Sequence, residues 1–248
     1  MSEIPATGRG ADDLGEFFQA AREFARDFNA SSHNQLRGVT DGKAVGTYIE
    51  HKFRDFLAGR GIIRIEDFGS SAKGIDFPSL DTDVKVTSIR QPQSSSPFKS
   101  FKQKIEGLGY NLVLFVYEKT DTDAECFLPL RAVRFIPKDR TADYQTTKGI
   151  RDIIARGGDE EDLFAFLVER MIPVDEHTLA HYAKTLLENT PLQGYLTISN
   201  ALQWRLQYKK VITKDLDGVV NLNPLGVGAL SEELMVNQAA VDPLIENE

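Results

Sequence analysis

Residues 74–88 read GIDFPSLDTDVKVTS. The stretch alternates like a β-strand, yet it holds three aspartates and a lysine beside Ile75, Phe77, Val84 and Val86. Pro78, Ser79 and Leu80 interrupt it, so the pattern predicts a β-hairpin. With Ser79 and Leu80 as a two-residue loop, Pro78 faces Asp81, Phe77 faces Thr82 and Asp76 lies opposite Asp83. Directly opposed residues share a face, with Cβ atoms about 4.5–5.5 Å apart. Side chains alternate along a strand, so Lys85 shares that face with Asp83. A three-residue loop breaks this register.

Two carboxylates that close repel unless a cation compensates them. Mg²⁺ takes one or two carboxylates and fills its other positions with waters and phosphate oxygens. A lysine beside the pair can orient the attacking water or help deprotonate it. These are the parts for metal-assisted hydrolysis of a phosphodiester. The competing reading is a capped turn with an Asp–Lys pair on a solvated face. The chain carries its own comparison: Asp-Thr-Asp recurs at residues 121–123, followed by Ala124 and Glu125. No lysine stands two places on, and no chemistry is assigned there.

Outward from the hairpin, residues 12–30 and 43–61 carry apolar side chains at helical spacing. Glu50 lies on the second of these helices, flanked by Ile49 and Phe53, where it can reach a sheet-edge site or remain solvated. Strands are expected at residues 62–68, 110–119 and 125–138, and a short helix at 98–109. From about residue 143 the texture turns helical, with helices expected at 145–157, 159–171 and 175–189. Residues 1–142 therefore read as an α/β core, 143–225 as a mostly helical second unit, and 226–248 as an acidic tail.

Glu50, then Asp76, then Asp83-Val84-Lys85 resembles the PD-(D/E)xK nuclease pattern. The wider run over residues 42–120 resembles type II restriction endonucleases of bacteria. The resemblance implies a restriction-endonuclease-like core, a central mixed sheet flanked by helices. It also implies Mg²⁺-dependent cleavage of double-stranded DNA at a short specific site. Asp76 and Asp83 would be metal ligands, Lys85 would orient the water, and Glu50 would be an accessory ligand. Ile75 stands where the family has proline, and Asp76 and Asp83 are closer in sequence than is usual. Asp81 is therefore an alternative first ligand. A homodimer with one active site per strand is expected, with a cognate methyltransferase in the same system.

Composition bounds the rest. The chain has 248 residues, 41% of them hydrophobic, enough for one large domain or a main domain plus a small one. No apolar run is long enough for a membrane span, and the N-terminus lacks the layout of a secretion signal. Cys126 is the only cysteine, which excludes a disulfide framework. A cytoplasmic location is expected. The net charge of -8 argues against a DNA binder at first sight. However, the last eighteen residues and the run Asp159, Glu160, Glu161, Asp162 carry the whole excess, leaving the remainder near neutral.

Two segments have the composition to touch DNA. One follows the hairpin: Arg90, Gln91, Gln93, Ser94, Ser95, Ser96 and Lys99 suit phosphates or base edges. The other, residues 178–222, resembles a winged helix. There Ser199 caps a recognition helix carrying Asn200, Gln203, Arg205, Gln207, Lys209 and Lys210, with Leu202 and Leu206 packed inward, Trp204 a further candidate for that face, and a wing around Asp217-Gly218. Residues 33–37 and 145–149 are lesser candidates. His177 and His181 lie four apart but lack a third zinc ligand. Two alternatives stand beside the restriction enzyme: a structure-specific nuclease of the same core, and a non-catalytic winged-helix regulator.

Overall fold

The structure is a computed structural model and describes residues 10–63, 75–97, 99–199, 204–223 and 230. Its elements, in chain order, are α1 (Gly10–Asn29), α2 (Gly42–Gly59), β1 (Thr82–Ser88), β2 (Gln93–Ser96), α3 (Gln103–Glu106), β3 (Asn111–Tyr117), β4 (Thr120–Asp121), β5 (Cys126–Phe127) and β6 (Leu130–Ile136). There follow α4 (Tyr144–Ala155), α5 (Glu160–Glu169), α6 (Glu176–Glu188), β7 (Thr197–Ile198), β8 (Trp204–Gln207), α7 (Lys209–Thr213) and β9 (Val220–Asn221). The chain divides into two compact units that interleave in sequence. One comprises residues 1–91, 113–135 and 220–248, the other residues 92–112 and 136–219.

The first unit is α/β, as expected. Its sheet runs β1-β3-β6-β9. Strand β3, Asn-Leu-Val-Leu-Phe-Val-Tyr, is buried along nearly its whole length, which its unbroken apolar run requires of an inner strand. Helix α1 buries Phe17, Ala21, Phe24 and Phe28, a stripe at helical spacing. Helix α2 is started by Asp41, whose carboxylate accepts from Lys43 N and Ala44 N. It contributes Ile49, Phe53 and Leu57 to the same core. Phe53 is the hub, with ring centroids 5.7 Å from Phe17, 6.0 Å from Phe77 and 4.9 Å from Phe115. Such tilted and edge-on pairs contribute about 0.5–1.5 kcal/mol each beyond the area they bury.

Three elements differ from expectation in this part of the chain. The strand expected at residues 125–138 is two, β5 and β6, because Pro129 between them has no N–H to extend a ladder. The helix expected at 98–109 is the single turn α3. It stops at Gly107, whose φ is 98° and whose missing Cβ leaves room for Lys138 O. The strand expected at residues 62–68 lies mostly outside the described residues.

The second unit holds the three expected helices, each begun by an aspartate: Asp143 for α4, Asp159 in a reciprocal capping box for α5, and Asp175 for α6. It also holds a three-stranded antiparallel sheet in the order β2-β8-β7. No winged helix forms among the described residues. Where a recognition helix was expected, residues 204–207 are a strand. The burial pattern gives the reason: Trp204, Leu206 and Tyr208 are buried while Arg205 and Gln207 are exposed, a period of two rather than 3.6. Nor does the expected wing form among the described residues. Gly218 turns the chain at a φ of 79°, and β9 pairs with β6, Arg134 opposite Asn221 and Phe135 opposite Val220.

Candidate active site

The register of the hairpin around Pro78 decides the site. Phe77 N donates to Thr82 O at 2.9 Å, and Thr82 N to Phe77 O at 3.1 Å. Asp81 N donates to Pro78 O at 3.2 Å. Phe77 thus faces Thr82 as expected, but this doubly bonded pair closes a four-residue loop, residues 78–81, rather than the expected two-residue turn. Pro78 opens a 3-10 turn over residues 78–80, and Asp81 closes it in the left-handed region at φ 49°, which aspartate tolerates better than most residues. Phe77, 1% exposed, is locked among Phe17 and Phe53, so the residue before it has little freedom to move.

That residue is Asp76. Its carboxylate Oδ2 accepts from Val84 N at 2.8 Å, taking a ladder bond that a backbone carbonyl would otherwise fill. Asp76 is thereby laid against β1, an edge strand of its sheet among the described residues, and its carboxyl group lies within hydrogen-bonding reach of Asp83. Lys85 Nζ stands 2.6 Å from Asp83 Oδ2. Helix α2 runs close to β1: a Cβ on Gly46 would lie 3.8 Å from Val86 Cβ. Glu50 is one turn further along α2. Arg54 is one turn beyond that, and its Nη2 is 3.3 Å from Asp76 Oδ1. Sequence reasoning missed Arg54; its spacing of four from Glu50 was the available signal.

Charge in this cluster is out of balance. Burial pushes the Glu50 carboxyl up from 4.5 to about 7; the charges of Asp76 and Asp83 add to the rise, and Lys85 and Arg54 oppose it. Burial likewise pushes Asp83 up from 3.8 to about 6, against Lys85 and with Asp76. Three carboxylates thus face two cations in a half-dry setting, and Glu50 and Asp83 resist ionising. The duplicate Asp-Thr-Asp behaves in the opposite way. Asp121, exposed, pairs with Lys119 and accepts from Gly38 N at 3.0 Å. The Lys119 contact, above all, draws its carboxyl down to about 2.

The donor set fits a hard divalent cation: carboxylate oxygens with surplus negative charge. Among the described residues, no group of three or more His, Cys, Asp or Glu side chains is arranged to hold an ion by itself. A two-carboxylate arrangement that leaves room for water and phosphate is the one Mg²⁺ takes. Asp76 and Asp83 fit that description, with Glu50 as an outer charge. Asp81 is a turn residue before β1, so strand alternation does not carry it to the Asp83 face.

The family model described as type II restriction enzyme NspV matches residues 12–221. The chain belongs to the NspV family of type II restriction enzymes. Type II restriction enzyme NspV of Nostoc sp. (strain ATCC 29411 / PCC 7524) is 52% identical to it over 214 residues, 82% of this chain and 95% of that protein. No solved structure matches this chain. Membership of the NspV family makes the protein a site-specific deoxyribonuclease, and it acts on DNA.

Among the residues expected to touch DNA, an NspV-family chain brings two distant groups together. Gln93, Ser94, Ser95 and Ser96 form β2, which pairs with β8 so that Gln93 faces Gln207 and Ser95 faces Arg205. Arg90 and Gln91 are exposed just beyond β1, and Lys99 is exposed after β2. Lys209 is exposed at the start of α7, while Lys210 Nζ lies 3.6 Å from the centroid of the Tyr144 ring. Asn200, Leu202 and Gln203 lie outside the described residues. The two lesser candidate segments are only partly exposed: Asn34, Gln35, Arg37, Gln145 and Lys148 face solvent. His33 is buried, stacked on Phe28 at 3.9 Å and bonded to Tyr48 Oη and Phe28 O at 3.1 Å each, so it serves the core. In residues 145–149, Thr146 and Thr147 are buried around the cap of α4. His177 and His181 sit exposed on α6, and Cys126 is buried. Among the described residues, no helix is long and apolar enough to cross a membrane.

Proposed function

We propose that this chain hydrolyses both strands of duplex DNA at a short specific sequence, with Mg²⁺ held by Asp76 and Asp83. The observation that carries the reading is the convergence of these two carboxylates with Lys85 and Glu50 at one sheet edge, where burial and mutual repulsion hold Asp83 near 6 and Glu50 near 7. A divalent ion bound there supplies positive charge for the phosphate oxygens and acidifies the attacking water.

The chain's own residues do the rest. Lys85, beside Asp83, orients the attacking water and neutralises charge that builds on the phosphate. Glu50 adds negative charge behind the pair and strengthens its hold on the cation. Arg54 fixes the Asp76 carboxylate through its contact at 3.3 Å. Phe77 anchors the turn that carries Asp76. Residues of the second unit read the sequence.

Two copies related by a two-fold axis would cut the two strands of a palindromic site, one active site each. The enzyme would work in the cytoplasm, and a methyltransferase with the same sequence preference would protect the host DNA. Digestion of a plasmid of known sequence tests the function. Discrete fragments with Mg²⁺ and intact plasmid with EDTA are expected. A smear, cleavage set by branches or nicks, or intact DNA under both conditions would overturn it.

A further inference from the structure

The sheet β2-β8-β7 carries a feature that the restriction activity alone does not assign. Antiparallel partners share a face, so its register sorts the side chains into two sets. Gln93, Gln207 and Thr197 form one cross-strand row, and Ser95 and Arg205 form the next. Thr197, Arg205, Gln207 and Ser95 are exposed and Gln93 is half-buried. On the opposite face Trp204, Leu206, Ser96 and Ile198 are buried. No acidic residue occurs in the described strands of this sheet.

We propose that the β2-β8 ribbon enters the major groove and that Gln207 and Arg205, with Gln93 beside them, read bases there. This inference rests on the site-specific cleavage proposed above and names its reader. The major groove admits a two-stranded ribbon. Alternate residues on a strand lie about 6.8 Å apart, which is two base-pair steps of about 3.4 Å. Arg205 and Gln207, two apart on β8, therefore match bases two steps apart. Arginine pairs with guanine O6 and N7, and glutamine with adenine N6 and N7, each through two hydrogen bonds.

The ribbon is held rigid from behind, as base reading needs. Ser94 Oγ and Tyr208 Oη are 2.5 Å apart and tie β2 to the end of β8. Tyr208 N donates to Pro92 O at 2.9 Å. Asp143, the cap of α4, accepts from Ile198 N at 2.8 Å and anchors β7.

The test uses the full chain with Ca²⁺ in place of Mg²⁺, so that DNA is bound and not cut. Fluorescence anisotropy compares a duplex carrying the mapped cleavage site of the wild-type chain with a scrambled duplex. Gln207→Ala and Arg205→Ala are each expected to lower the preference for the specific duplex about ten- to a hundred-fold. Binding to the scrambled duplex should stay within about two-fold for Gln207→Ala. Over duplexes with single base-pair changes, each variant should lose its preference at one position of the half-site and keep it elsewhere. Both positions are exposed, and an unchanged thermal midpoint shows that each variant is folded. Equal losses on both duplexes, with the salt dependence reduced by about one phosphate, would make Arg205 a backbone contact and overturn the proposal. So would variants that keep the wild-type preference. A wild-type chain with no preferred duplex overturns the cleavage reading as well, which separates the two failures.

Discussion

Asp83→Asn should make the metal-free protein more stable while destroying its activity. The carboxyl of Asp83 rises from 3.8 to about 6 in the folded chain. At about 1.4 kcal/mol per tenfold change in proton affinity, ionised Asp83 costs the fold about 3 kcal/mol. The sign follows from linkage. A raised carboxyl favours the fold at low pH, and that advantage is lost as pH rises through the folded value near 6. At pH 8 the full cost is present; at pH 5 roughly half of it remains. Asparagine keeps the shape and carries no charge. Against this gain, Lys85 loses its contact with Asp83; its side chain is 21% exposed, and the loss of that contact costs about 1 kcal/mol. The variant should therefore be about 2 kcal/mol more stable than wild type at pH 8 in EDTA, and the advantage should shrink at pH 5. Urea unfolding followed by far-UV circular dichroism reads both. A variant less stable by the same amount at both pH values would refute the claim that Asp83 is held ionised against its environment.

The other predictions concern the same cluster and its supports. Added Mg²⁺ should raise the thermal midpoint of wild type at pH 8, and much less at pH 5.5, where Asp83 and Glu50 take up protons; equal shifts at both values would place the ion elsewhere. Asp121→Ala should leave cleavage unchanged, because its lowered carboxyl belongs to a Lys119 pair and a turn; a plasmid digest losing its Mg²⁺ dependence would show the wrong Asp-Thr-Asp was chosen. Phe77→Ala should cost about 3–5 kcal/mol in urea unfolding, since its ring is 1% exposed at the centre of the aromatic cluster; a loss below about 1 kcal/mol would mean the turn is not anchored there.

What could be read from the sequence was what depends on neighbours in the chain. The register of the hairpin was legible because Pro78 and the alternation on either side of it mark the turn within fifteen residues, although the loop is four residues long rather than two. Asp76 and Asp83 converge for that reason. Glu50 was legible because a helix stripe gives its face. The β8 strand was not legible. Residues 204–207 are too few to separate a period of two from a period of 3.6, and the partner that makes them a strand, β2, lies more than a hundred residues earlier. The pairing of Gln93 with Gln207 follows from that long-range contact alone. Asp143 was missed for a similar reason: its cap is a local signal, but its bond to Ile198 N spans 55 residues. Arg54 matters through Asp76, 22 residues away; its spacing of four from Glu50 signals a shared helix face but not that contact.

The decisive measurement is plasmid cleavage by Asp83→Ala and Lys85→Ala, set beside binding of the same variants to a duplex carrying the cleavage site. Cleavage in Mg²⁺ should vanish in both variants while each still retards the duplex in Ca²⁺. Full cleavage by either variant would contradict a magnesium ion held at the β1 edge with Lys85 at its side.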